Sequence, residues 1–290
     1  MTKLALGTAQ FGLKYGINNS RGKIPISETF EILNKAVETN IDVIDTASAY
    51  GASEKILGEY INKLNSKKTI KIISKFPNTS KKKIQEAVNK SLEILHINKF
   101  YGYLLHDFSL FKKDKTIWQK LESLKKDNKI NKIGFSLYYP EEIEYLLKKD
   151  ISFDIIQVPY NIFDQRFEKY FDILKKKHVE IHVRSVFLQG LFFKSIQSLD
   201  EYFKGIANKL KYLNKLSQEQ NVSISAICLN FALVNKSIDK VIIGVDSLEN
   251  LLENINNQKY LNKVESVYSK LMNMKINDQN ILIPMNWPKK

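Results

Sequence analysis

The sequence predicts a single (β/α)₈ TIM-type barrel, one α/β domain spanning residues 1–290. Three observations predict it. Eight short β-rich runs alternate with longer amphipathic segments, which implies parallel βαβ units. The length of 290 residues suits a closed barrel, which typically takes about 250. An open dinucleotide-binding sheet would carry G-x-G-x-x-G after its first strand, whereas the first strand here runs into GTAQFG.

The strands are expected at Leu4–Gly7, Val43–Asp45, Ile70–Ser74, Tyr101–Leu105, Lys132–Phe135, Ile155–Val158, Ile181–Val186 and Val241–Ile243. Between them lie helical patterns. Residues 27–39, SETFEILNKAVET, place Phe30, Ile32, Leu33 and Val37 near one face, with Ser27 as the expected N-cap. Ser53–Leu64, Ser80–Leu95, Thr116–Asp127, Pro140–Lys149 and Phe167–Lys177 repeat the design, and Pro140 suits a first helical turn. The stretch from Leu188 to Val222 exceeds one crossover and predicts an extra helix. Residues 261–290 read as a C-terminal helix followed by a Pro-containing tail that can cross the barrel mouth.

Apolar residues make up 43% of the chain, enough for a sizeable core. The one cysteine, Cys228, lies in the apolar run SAICLNFAL and reads as a small buried hydrophobe. The N-terminus is too short in apolar residues and too Gly-interrupted for a signal peptide, and no stretch approaches about 18 uninterrupted apolar residues. A soluble cytoplasmic protein without a membrane partner is expected. The net charge of +14 comes mostly from lysines scattered through segments such as LKKKH. Without a zinc-ligand cluster, helix-turn-helix or aromatic RNA-binding motif, this reads as a solvated basic surface rather than a nucleic-acid site. The sequence carries no signal for oligomeric state or for a metal.

Chemistry in such a barrel sits at the C-terminal ends of the strands. Asp45 ends the second strand, Tyr50 lies five positions on, Lys75 follows the third and His106 the fourth. Each alone has a plain reading: a turn cap, a surface aromatic, a solvated lysine, a core histidine. Together, at successive strand ends, they suit carbonyl reduction. Tyrosine, with a reference pKa of about 10, is too weak an acid; an adjacent Lys75 ammonium held by Asp45 is expected to lower that value. A neutral His106 is expected to orient the carbonyl oxygen. Phe11, Phe76, Phe108, Tyr138 and Tyr160 are candidate substrate-facing aromatics, with Gln10 and Asn161 as polar contacts pointing to a polar or sugar-like carbonyl.

At these residues the chain resembles the aldo-keto reductase superfamily. Residues 41–58, IDVIDTASAYGASEKILG, resemble its D-T-A-x-x-Y-G-x-S-E-x-x-L-G signature. Further likeness lies in SKF at Ser74–Phe76, LLHDF at Leu104–Phe108, GFS at Gly134–Ser136, IQVPYN at Ile156–Asn161, RSVFLQGL at Arg184–Leu191 and ENLLENI at Glu249–Ile255. The resemblance implies an NAD(P)H-dependent oxidoreductase that reduces an aldehyde or ketone, with Asp45, Tyr50, Lys75 and His106 as the catalytic group. It implies a small-molecule carbonyl substrate and an extended dinucleotide. Ser136 and Gln157 would hold the carboxamide, and Gly7, Thr8 and Ala9 would line the cofactor. Ser185 and Phe187 would lie along the pyrophosphate, with Gly244, Glu253 and Asn254 near the adenosine.

Three departures from the family pattern stand out. Leu137 replaces a common Asn. Arg184 stands where many members carry an aromatic against the nicotinamide; it stacks on the ring, binds an anionic group, or forms a plain salt bridge. Asp246, in GVDSLEN, would repel a 2′-phosphate and accept from ribose hydroxyls. The resemblance favours NADP(H); Asp246 keeps NAD(H) open. The main rival is a regulatory barrel of the same superfamily that binds cofactor without turnover, against which the filled tetrad argues. A nucleic-acid binder would show salt-dependent retention, and a lyase or isomerase could use the same barrel.

Overall fold

The computed structural model describes residues 2–17, 19, 21–63, 70–77 and 83–288. Eight parallel strands close into a barrel in sequence order: β1 Leu4–Gly7, β2 Val43–Asp45, β3 Lys71–Phe76, β4 Phe100–Leu105, β5 Ile130–Ser136, β6 Ile155–Pro159, β7 Glu180–Arg184 and β8 Lys240–Gly244, with β8 pairing back to β1. Each strand is short and apolar, and each is followed by helical chain that covers its outer face. No helix among the described residues is long and apolar enough to cross a membrane.

The period of two along a strand sorts side chains into inside and outside. Ala5, Val43, Ile73, Leu104, Ile155 and Ile242 form a separate apolar cluster that fills the barrel lumen. Two positions further along the same strands stand Gly7, Asp45, Lys75, His106, Gln157 and Gly244. Ser136 and Arg184 hold the matching places on β5 and β7, register partners of Gln157 and Pro159. The layer above the apolar plug is therefore polar, and it faces the C-terminal rim. At the opposite end, Asp42 accepts from Lys71 and Lys240 at 2.7 and 2.9 Å, closing the floor with charge pairs.

Several boundaries differ from expectation for identifiable reasons. β7 stops at Arg184 rather than Val186, because Ser185 turns left-handed (φ 61°). β3 runs on to Phe76, so Lys75 lies within the strand rather than after it. Ser27 is not a cap: the helix starts at Ile26 with Pro25 before it, so Ser27 sits in the first turn. The fourth-strand approach helix spans Ile84–Leu95, and its expected first residue, Ser80, lies outside the described residues. The extra helix between Leu188 and Val222 is Ala207–Gln220, preceded by two 3₁₀ segments.

The C-terminal region is not one helix and a tail. It breaks into Leu261–Glu265, Tyr268–Met272, Gln279–Leu282 and a 3₁₀ turn at Pro284–Asn286. Ser266 turns its hydroxyl onto the Lys263 carbonyl at 2.7 Å, and the Asp278 side chain caps the following turn at Asn280; both compete with helix continuation. The Ile276 amide donates to the Phe163 carbonyl at 3.0 Å, fastening the segment over the barrel end, where Pro284 and Met285 reach the central cavity. Cys228 lies fully buried in the Ile224–Val234 helix.

Candidate active site

Tyr50 reaches the rim from the loop after β2, and that loop is fixed by close backbone packing. A Cβ on Gly12 would lie 1.7 Å from the Tyr50 carbonyl oxygen, and one on Gly51, itself left-handed at φ 58°, 2.6 Å from the Gly12 oxygen. Only glycine permits that approach. A hydroxyl chain secures the same corner. Ser53 donates to Thr8 Oγ1 at 2.7 Å, Thr8 donates to the Asp45 carbonyl at 3.0 Å, and Thr46 lies 3.0 Å from Ser53 Oγ. Beside it the buried Glu54 carboxylate accepts from Ser74 and Ser91 at 2.7 and 2.9 Å, tying β3 to the Ile84–Leu95 helix next to Lys75. Burial raises the pKa of Glu54 above the ordinary carboxylate value despite those two donors.

Lys75 is wholly buried. Its Nζ donates to Asp45 Oδ2 at 2.6 Å and to the Thr46 carbonyl at 2.9 Å, and stands 3.5 Å from the Tyr50 hydroxyl, at the long limit of a hydrogen bond. It also lies 5.1 Å from the Tyr50 ring centroid. Gln157 Nε2 donates to the other Asp45 oxygen at 2.7 Å. The His106 ring meets the Tyr50 ring edge-on, centroids 6.0 Å apart. The four expected groups do converge.

The electrostatics differ from expectation in one respect. Burial, then the Asp45 carboxylate and Tyr138, push the Tyr50 phenol well above the ordinary tyrosine value, and Arg184 is the cation that opposes them. The net effect on Tyr50 is therefore upward: the Lys75 ammonium, matched by Asp45 2.6 Å away, does not outweigh burial. Burial likewise lowers Lys75 itself, with Asp45 opposing. His106 falls to about 3 through burial and the nearby Lys75 and Arg184 charges, so its imidazole is neutral at working pH. The group is thus a protonated phenol beside a neutral imidazole, a pairing suited to donating a proton.

Tyr50 and His106 open onto a cavity of about 610 Å³ that runs from the β1, β2 and β4 ends, past β7, to the segment after β8. Gly7, Thr8, Ala9, Asp45, Arg184, Ser185, Phe187, Gly244, Asp246, Glu253 and Asn254 line it, as the sequence suggested. Lys75, Ser136 and Gln157 are not among its lining residues and are buried within β3, β5 and β6. Of the aromatics singled out, only Tyr138 lines the cavity. Phe11 and Phe76 are buried in the core outside the strands, Phe108 packs with Phe111 and Phe135, and Tyr160 stacks on Phe231 with its hydroxyl near Glu168 and Tyr268. Asn161 is also elsewhere, its oxygen accepting the Phe163 and Asp164 amides, whereas Gln10 does line the cavity. Strand-end position fixed proximity to the rim and not direction; Phe76, next to inward-facing Lys75, must point outward.

Tyr15, Gln189, Phe193, Ser225 and Met285 also line the cavity and were not singled out. Tyr15 and Gln189 meet across it: Gln189 Nε2 donates to the Tyr15 hydroxyl at 3.1 Å, and the Ile17 amide donates to the Gln189 carbonyl at 3.1 Å. Gln189 belongs to a run of left-handed residues (Leu188 φ 45°, Gln189 52°, Gly190 92°), of which only the glycine carries a sequence signal.

Arg184 makes no salt bridge among the described residues, which removes the plain reading. Its guanidinium carbon lies 4.1 Å from the Tyr138 ring centroid, Nη2 donates to the Leu137 carbonyl at 3.2 Å, and Nη1 lies 3.3 Å from Ser185 Oγ. Two buried polar atoms of the register pair that precedes Leu137, Ser136 Oγ and Gln157 Oε1, have no hydrogen-bond partner among the described residues. Unpaired buried polar atoms are costly, and a hydroxyl and an amide oxygen side by side on β5 and β6 match a primary carboxamide. Leu137, wholly buried, offers no further polar side chain there.

Comparison with known proteins gives the family and repeats the fold. The family model described as "Aldo/keto reductase family" matches residues 3–274. The oxidoreductase YqkF of Bacillus subtilis is 27% identical over 283 residues, covering 88% of this chain and 90% of that protein. L-galactose dehydrogenase of Arabidopsis thaliana is 21% identical, covering 87% and 88% respectively. Among solved structures, the aldo-keto reductase AKR11C1 of Bacillus halodurans in its holo form superposes with a TM-score of 0.72 at 22% identity, over 96% of this chain and 95% of that one.

Proposed function

Because this chain belongs to the aldo/keto reductase family, we propose that it is an NAD(P)H-dependent reductase of an aldehyde or ketone, with Tyr50 as the general acid. The observation that carries this reading is Tyr50 in the cavity lining, its hydroxyl 3.5 Å from the Lys75 ammonium and its ring edge-on to neutral His106. The residues present fit a nicotinamide nucleotide: Ser136 and Gln157 would hold its carboxamide, and the cavity is long enough to carry the rest past Ser185 and Phe187 towards Glu253 and Asn254. When bound, that group supplies the hydride.

The protein's own groups supply the remainder. His106, neutral, donates a hydrogen bond that orients the carbonyl oxygen. Tyr50, protonated, gives its proton to that oxygen as negative charge develops. Lys75, anchored by Asp45, holds the phenol in place and stabilises the phenolate left behind. The single buried cysteine needs no oxidising compartment, and the reading places the enzyme in the cytoplasm. A sugar-like substrate gains some support from the L-galactose dehydrogenase relative and from Gln10 in the lining.

Purified protein should oxidise NADH or NADPH in the presence of 4-nitrobenzaldehyde, followed by near-ultraviolet absorbance. With His106 down at about 3 and Tyr50 raised, the rate should stay flat from about pH 5 to about pH 8. Tight nucleotide binding with no turnover of several aldehydes would instead point to the regulatory barrel.

The nucleotide preference rests on the far end of the cavity. Asp246, Asn250, Glu253 and Asn254 line it, with no cation among these residues. Arg21, bonded to the Asp246 carbonyl, spends its guanidinium on Glu28 at 2.8 Å. A 2′-phosphate there would face carboxylates. Asp246→Asn should lower the NADPH dissociation constant relative to that of NADH by about five- to tenfold, read by calorimetry; an unchanged ratio would remove Asp246 from nucleotide selection.

A further inference from the structure

We infer that Arg184 selects the redox form of the nicotinamide: its unneutralised guanidinium, beside the Ser136–Gln157 pair, favours the neutral reduced ring and disfavours the positively charged oxidised one. The inference rests on the nucleotide-binding reading above and adds a property to it, a reductase biased by binding as well as by proton supply.

The charges around the rim lead to it. Lys75 is matched by Asp45 at 2.6 Å, and His106 is neutral. The hydroxyls that share the wall, those of Tyr15, Tyr50 and Tyr138, are phenols. Of the lining carboxylates, Asp45 is the one paired with Lys75, and Asp246 and Glu253 stand at the other end, beyond Gly244. Arg184 is therefore left as the net charge at this end of the cavity, with no ion-pair partner among the described residues. Its place is defined: Nη2 bonds the carbonyl of Leu137, the residue next to Ser136, at 3.2 Å, so the guanidinium stands within one residue of the pair that fits a carboxamide. The Tyr138 ring covers it from one side at 4.1 Å, and a planar guanidinium can also stack on a second ring. Arg184 is half-buried, where like-charge repulsion is far stronger than in bulk water.

The test is binding without turnover. Dissociation constants for NADH, NAD⁺, NADPH and NADP⁺ would be measured by calorimetry on the wild type and on Arg184→Met, Arg184→Gln and Arg184→Lys. Each ratio is taken within one nucleotide, so phosphate contacts cancel. The wild type should bind the reduced form about tenfold tighter or more. Both neutral variants should bring the ratio close to unity, while the lysine variant, which keeps the charge, should retain most of it. Circular dichroism identifies any variant that fails to fold, and two neutral replacements keep the comparison available. A wild-type ratio near unity, or one unchanged in the neutral variants, overturns the inference and leaves the nucleotide-binding reading intact. A wild type that binds none of the four sinks both.

Discussion

Tyr50→Phe should lower carbonyl reduction by about 100- to 10,000-fold, the range for losing a positioned general acid, with nucleotide affinity little changed. The phenol oxygen is protonated and stands beside a cation able to stabilise its conjugate base. The ring makes its edge-on contact with His106 and its cation contact with Lys75, and phenylalanine keeps both, so the fold should survive. The measurement is kcat on a generic aldehyde beside a nucleotide dissociation constant. Full activity in the variant would remove Tyr50 from the chemistry and with it the proposed mechanism. A loss matched by an equal loss of nucleotide affinity would give the residue a binding role instead.

Lys75→Met should be the most destabilising single change at the site. Lys75 and Asp45 are both almost wholly buried and joined at 2.6 Å. Removing one member of such a pair leaves an uncompensated buried charge, which costs about 3–5 kcal/mol. At roughly 2–4 °C per kcal/mol for a chain of this size class, the melting temperature should fall by about 6–20 °C. Only Gln157 would still serve the Asp45 carboxylate. The double variant Lys75→Met/Asp45→Asn should recover part of that loss, because the stranded charge goes with its partner. Thermal unfolding of the single and double variants checks this; a double variant no more stable than the single one would show that the cost lies in packing. Activity should be lost in both, since neither retains the ammonium beside Tyr50.

Much of the site could be read in the chain. Asp45, Lys75 and His106 were legible because strands are short and apolar here, so a charged residue near a strand's C-terminal end stands out. The inward parity that places them in one layer follows from the strand period. The resemblance carried Ser136 and Gln157, which the structure shows buried with unpaired oxygens. The aromatic bowl was misread at Phe11, Phe76, Phe108 and Tyr160, all of which found apolar partners in the core. Tyr15, Phe193 and Met285 went unseen, because each comes from a loop or a short 3₁₀ segment and has no periodic context.

The sequence by itself determined the barrel, the order of its strands and the identity of the polar groups at its rim, since hydrophobic alternation and strand-end placement are local properties that survive without coordinates. Only the tertiary structure decided the acidity of Tyr50 and the isolation of Arg184. Both depend on how much water is excluded and on which charges from separate strands meet within a few ångströms. No linear spacing encodes that the guanidinium on β7 is left without a counter-ion among the described residues while Asp45 absorbs the charge of Lys75.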